Sequence, residues 1–240
     1  MENARIDSEL YLFTPIGMGD ILICYGFIKE LSKKYIKIYY YVTENNYDNA
    51  IRLFKSIHNV EIIKAQIVNN RVIVDPTTLT VGWEYFAEAV KSNPNLHCDK
   101  FCYDFVSVPL EKKWDNFYLE RNLEKEKEVF YDILQLKDDE EFFFIHESID
   151  KGIINRKYLK ENIKLINPCD YTQISLFDFL YTIEKSKEIH VVNSSFRTLI
   201  DIMNINHNSL NYHRYVKGTY LRELECSQPT CRLNWNIFYE

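Results

Sequence analysis

The chain has no apolar run approaching the roughly 20 residues that a membrane-spanning helix needs, and its opening residues, Met1-Glu2-Asn3-Ala4-Arg5, contain no apolar core of the kind an export signal carries. These absences point to a cytoplasmic protein with no transmembrane segment. An excess of positive charge is missing too: 29 Lys and Arg stand against 35 Asp and Glu, a net charge of −6. That balance argues against a broad basic face, so no nucleic-acid partner is expected and any anionic ligand has to be met by local groups. Cysteine is sparse and scattered. Six thiols in a chain without an export signal favour the reduced form over a disulfide framework. Two loose groupings, His97-Cys98 with Cys102 and Cys226 with Cys231, have three and four intervening residues between their cysteines and no glycine-rich knuckle. Neither reads as a zinc site, and no metal or other cofactor is expected.

What is present describes a folded α/β chain. Hydrophobic residues make up 46% and charged residues 27%, which excludes disorder, and 240 residues suffice for two domains of ordinary size. An apolar run at 10–13 precedes a glycine turn and an amphipathic segment at 21–35; a β-branched and aromatic run at 37–43 precedes a helical face of Ala50, Leu53, Phe54 and Ile57. Further strands are expected at 60–65 and 71–74. Strand alternating with helix is the pattern of a parallel sheet with crossover connections, here over residues 9–75. Residues 82–86 read as helical. Residues 101–114 form an aromatic-rich connection without a clear period, and Trp114-Asp115-Asn116-Phe117-Tyr118 reads as packed core.

The charged segment 120–136 suits an exposed connecting helix and marks the expected seam, with one Rossmann-like domain at 1–120 and a second at 121–240. In the second, strands are expected at 141–146, 164–167, 189–192 and 210–213, with helices at 176–187 and 196–203. No internal repeat or low-complexity tract is present.

Three places carry candidate chemistry. Gly17-Met18-Gly19-Asp20 follows the first strand; Gly17 and Gly19 let backbone approach a ligand, and the new helix presents unpaired N–H groups. The motif lacks the third glycine of a dinucleotide fingerprint and the Lys-Ser/Thr of a P-loop. Asp20 is equally suited to acid–base chemistry and to capping the helix dipole. The second place is Asn193-Ser194-Ser195-Phe196-Arg197, where capping serines at a strand-to-helix junction and a cation suit a diphosphate, or simply a cap. The third is His146-Glu147-Ser148 at the carboxyl end of a strand, the edge where open α/β sheets place ligands, with Asp150, Arg156 and Lys157 following.

Gly17-Met18-Gly19-Asp20-Ile21-Leu22 together with the 189–203 segment resembles the GT-B glycosyltransferases, most closely the heptosyltransferase-like group, in a short form. That resemblance implies two Rossmann-like parallel-sheet domains facing across a cleft, the first lending the acceptor site and the second binding the nucleotide-sugar. It implies Asp20 as general base; His146, from its own place at a strand end and suited to a substrate hydroxyl or a phosphate, is a second catalytic candidate. Asn193, Ser194, Ser195 and Arg197 would hold the donor diphosphate; read from the residues themselves, Arg156 is a further phosphate-binding candidate, and Gly17, Gly19, Glu147 and Ser148 are candidates to line the cleft. The partners implied are a nucleotide-sugar donor, used as co-substrate with no metal, and a glycan or glycolipid acceptor. Where the heptosyltransferase donor loop has glycine and histidine, this chain has Ser-Ser-Phe-Arg. The alternatives are a non-catalytic nucleotide- or glycan-binding protein with a degenerate GT-B fold, and an assembly protein that self-associates through aromatic surface.

Overall fold

Two strands rich in β-branched and aromatic residues, β1 (Ile6–Phe13) and β2 (Tyr35–Val42), pair in parallel and frame the first unit. The computed structural model describes residues 6–15, 17–68, 71–214 and 229–239, which leaves Ile16 of the first turn and Cys226 outside the described residues. Helix α1 (Met18–Ser32) connects the two strands, and α2 (Tyr47–Phe54) leads from β2 to β3 (Val60–Lys64), which adds in parallel on the far side of β2. The next two short strands, β4 (Gln66–Val68) and β5 (Arg71–Ile73), pair with each other in antiparallel fashion and leave the main sheet. The expected strand at 71–74 therefore exists but belongs to a hairpin. The fourth place in the parallel sheet is taken by β6 (Leu79–Thr80), giving the order β3-β2-β1-β6.

Helix α1 starts three residues earlier than its apolar period suggests, because Gly17 and Asp20 close its first turn. From Ile21 to Ile28 every residue is buried, so the helix is enclosed on all sides. The sheet covers one side, through the alternating inward residues Ile38, Tyr40 and Val42 of β2. After α3 (Trp83–Ser92), the other side is covered by α4 (Cys98–Phe105) and α5 (Lys112–Asp115). These two short helices occupy the stretch whose aromatic content obscured any period. Phe117 packs edge-on against Tyr25 as expected of core, whereas Tyr118 is exposed.

The second unit opens with α6 (Leu123–Glu128), which runs into a wider π turn. Its charged face is solvated as expected, with Glu124, Lys127 and Glu128 exposed, but Glu126 departs from the pattern: it is fully buried and accepts a forked pair of hydrogen bonds from Arg121, while Val129 and Phe130 enter the core. Strands β7 (Phe142–His146), β8 (Lys164–Ile166), β9 (Glu188–Val191), β10 (Leu210–His213) and β11 (Asn236–Phe238) form a fully parallel sheet ordered β11-β10-β9-β7-β8. The edge strand β11 has no counterpart in the sequence reading. All five residues of β7 are buried, as a central parallel strand requires. Helix α7 (Leu180–Lys185) is preceded by one 3₁₀ turn, and α8 (Ser195–Ile202) follows β9.

The described chain thus forms two compact units, one within Met1–Glu120 with Leu224–Thr230 and one within Arg121–Glu223 with Cys231–Glu240. Each is a parallel-sheet α/β unit, the fold class read from the sequence. No helix among the described residues is long and apolar enough to cross a membrane.

Candidate functional site

In the first unit the site is the turn from β1 into α1. Thr14 is buried and its hydroxyl meets Tyr40 Oη at 2.6 Å, which pins the strand end. The Gly17 amide then donates to Asp20 Oδ2 at 3.2 Å. A Cβ on Gly17 would lie 2.7 Å from that same oxygen, so a larger residue here would push the Asp20 carboxylate off its capping position, while the backbone angle itself is ordinary. Asp20 caps its own helix. It also lines a cavity of about 20 Å³ with Cys24, Phe86, Cys98, Phe101 and Cys102, room for roughly one water. Gly19, in the first turn of α1, is half-buried.

In the second unit the carboxyl ends of β7 and β9 bring two of the expected places together. His146 and Val191 are register partners, and the His146 ring lies 4.8 Å from Phe196 at the start of α8. Asn193 is exposed and Ser195 half-buried, whereas Ser194 is buried and its hydroxyl accepts from the Arg197 amide at 3.5 Å, as an N-cap should. Arg197 is 5% exposed, its guanidinium 4.2 Å from the centre of the Tyr212 ring and its Nη2 2.8 Å from Cys231 Sγ.

Glu147 is buried and accepts from the Ile154 amide at 2.7 Å and from both terminal nitrogens of Arg156. This pair fixes the loop after β7. Ser148 closes the loop's turn through backbone bonds to Gly152, whose φ of 129° favours glycine. Cys169, which the sequence reading left without a role, sits on the turn after β8 with Sγ 3.7 Å from His146 Nε2.

The opposite face of the sheet holds a polar chain that the sequence did not single out. His190 Nε2 meets Glu188 Oε2 at 3.0 Å, and its Nδ1 meets His213 Nε2 at 2.9 Å. With Glu188 accepting from Nε2–H, the bare Nδ1 of His190 accepts in turn from His213. Period-two spacing of Glu188 and His190 was the available signal, but only strand pairing supplies His213.

Both His146 and His213 are held at a pKa of about 4 against the ordinary 6.5, the first by burial and then Lys151, the second by burial and then His190. Burial likewise lowers His190. As pH falls through the window from 6.5 to about 4, the unfolded chain takes up protons that the folded chain refuses. Stability is therefore full above this window and lost through it. Thermal melts across the window should show the midpoint falling with acidity, with a shallower slope in His213→Gln and His146→Gln; slopes equal to wild type in both would contradict the assignment.

Among the described residues no group of three or more His, Cys, Asp or Glu side chains is placed to hold a metal. No protein-family model matches the chain, and no curated protein matches it. Among solved structures it is similar in fold to a glycosyl transferase of family 9 from Veillonella parvula. The two share 9% identity, the match covers 99% of this chain and 89% of that one, and the TM-score is 0.55.

Proposed function

We propose that the chain is a glycosyltransferase of the cytoplasm. It moves a hexosyl- or heptosyl-type sugar from a nucleotide-sugar to a hydroxyl of a glycan or glycolipid, without a metal. The observation that carries this reading is a fold likeness to a family 9 glycosyl transferase extending over 99% of the chain. Both small-residue turns lie at the carboxyl ends of parallel strands, where such folds take ligands.

On this reading the diphosphate sits at the start of α8. Asn193, Ser195 and the first-turn amides contact it, Ser194 shapes the turn, and the buried charge of Arg197 adds positive potential from below. His146, neutral at physiological pH, offers a hydrogen bond at the same edge. Arg156 serves through its pairing with Glu147, which holds the loop carrying Ser148. In the other unit Asp20, with Gly17 and Gly19 beside it, takes the proton from the acceptor hydroxyl. That oxygen attacks the anomeric carbon, and the bond to the diphosphate breaks.

Asp20 and the serine turn belong to different units, so donor binding and proton removal are separable. A thermal-shift panel of UDP, GDP, ADP, CMP and their sugar conjugates should give a rise in midpoint for one nucleotide class, lost in Asn193→Ala with Ser195→Ala. Asp20→Asn should keep that rise while donor turnover falls about 100-fold. A flat panel would overturn the reading. A second reading, a non-catalytic nucleotide- or glycan-binding protein, is favoured by the capping bond from the Gly17 amide to Asp20; it predicts the thermal shift with no turnover in wild type.

A further inference from the structure

Helices α3 and α4 of the first unit share an aromatic strip that ends beside Asp20. Its rings follow one another at near-constant spacing: Tyr85 to Phe105 at 5.8 Å, Phe105 to Phe101 at 5.7 Å and Phe101 to Phe86 at 5.7 Å between ring centres. Burial deepens along it. Tyr85 is 54% exposed and Phe105 40%, Phe101 is half-buried and Phe86 only 2% exposed. The two inner rings line the cavity that Asp20 borders. A continuous apolar surface therefore leads from solvent to that carboxylate.

The inner end favours an apolar occupant. Asp99, which also lines the cavity, already accepts from Lys113 and from Thr230. Cys24 and Cys102 are hydrogen-bonded to each other, and burial and then Asp99 push the Cys98 thiol up and keep it neutral. A water or a sugar ring lodged there would leave polar groups poorly satisfied, whereas a hydrocarbon group loses nothing by entering. The cavity of about 20 Å³ takes roughly one methyl-sized group, so a long acyl chain has nowhere to run inward. A compact ring lying across Phe101, Phe105 and Tyr85 fits this surface, since aromatic groups pack edge-on or offset at such spacings.

The outer end is a patch set among charges. The exposed surface of the same two helices carries the ion pairs Glu88 with Lys91 and Lys100 with Asp104, and an apolar patch with a polar rim marks an interaction site. It is too small for a second copy of this chain. Two rings half in solvent offer on the order of 200 Å², against the roughly 1,200–2,000 Å² that a stable protein interface buries.

We propose that this strip binds the aglycone of the acceptor, a compact aromatic group joined directly to the sugar whose hydroxyl reaches Asp20. The role given to Asp20 rests on the transferase reading; the binding of the ring does not. Aromatic contact then places the acceptor, and discrimination among acceptors lies in the group next to the reacting sugar.

The test measures binding apart from transfer. The full chain is titrated calorimetrically with phenyl, octyl and methyl β-glucosides and with the corresponding galactosides. For at least one of the sugars the phenyl compound should bind at least about 10-fold more tightly than the methyl compound, as burial of one ring gives, and more tightly than the octyl compound. Tyr85→Gln with Phe105→Gln should remove this advantage and, since both rings are largely in solvent, leave the melting midpoint close to wild type. Asp20→Asn should keep it. Equal binding of phenyl and methyl compounds, no binding of either, tightest binding of the octyl compound, or a wild-type dimer that the double variant dissolves would each overturn the proposal. Incubation of the phenyl glycoside with nucleotide-sugars separates the two readings: ring-dependent binding without transfer overturns the transferase reading and supports the aromatic site alone.

Discussion

Replacing Gly26 by alanine is expected to destabilise the first unit, against the sign that helix propensity gives. In an unconstrained helix interior the change gains about 1 kcal/mol. Here a Cβ would lie 2.1 Å from the Lys112 carbonyl oxygen, 2.4 Å from Tyr103 Oη and 2.7 Å from the Lys112 carbonyl carbon. Two of these three are backbone atoms and cannot rotate aside. Tyr103 is held as well, its hydroxyl donating to the Ile23 carbonyl at 2.9 Å, while Asn116 Nδ2 donates to the Gly26 carbonyl at 2.9 Å. The methyl can be admitted only by parting α1 from α5, an overpacking cost that should leave a net loss on the order of 2–3 kcal/mol. Urea titration of the full chain measures it; stability equal to or above wild type would show that the helices do not approach so closely.

A comparable loss is expected from Lys113→Met. Lys113 Nζ lies 2.6 Å from Asp99 Oδ2, with the two side chains 1% and 0% exposed. Asp99 Oδ2 also accepts from Thr230 Oγ1 at 2.5 Å and from the Thr230 amide at 3.0 Å, and Lys113 donates to the Thr230 carbonyl at 2.6 Å. A buried carboxylate robbed of its cation costs about 3–5 kcal/mol, because its desolvation is no longer offset. Removing both charges avoids that penalty. Lys113→Met with Asp99→Asn should therefore recover more than half of the single-variant loss, and a double-mutant cycle by denaturant titration reads the coupling. Additive losses would place this pair among those that contribute little. Hydrogen exchange at Thr230 offers a local readout, since its amide is protected by Asp99 itself.

The strand, turn and helix order around Asp20 and around Ser194 is legible in the chain because each signal is local: alternating or continuous apolar runs, small residues at the junction, a capping group within three positions. The antiparallel partner of β5 is not, since a three-residue β-branched run carries no mark of which strand it joins. Helices α4 and α5 escape for a similar reason, being eight and four residues long, too short to display a 3.6-residue period through an aromatic-rich stretch. The charge pattern of α6 misleads, since Glu126 looks like a solvated neighbour of Lys125 and Lys127 until Arg121 is seen to cap it in the core.

The candidate site divides along the same line. Its residue types and their places at strand ends follow from sequence alone, because backbone hydrogen bonding and burial act over a few neighbouring positions. What each side chain does there is a tertiary matter. Glu147 and Arg156 become a loop clasp, Arg197 becomes the partner of a sulfur 34 positions away, and His190 finds His213 across 23 positions. Charge pairing and desolvation depend on distance through space, and no spacing along the chain encodes which distant group arrives.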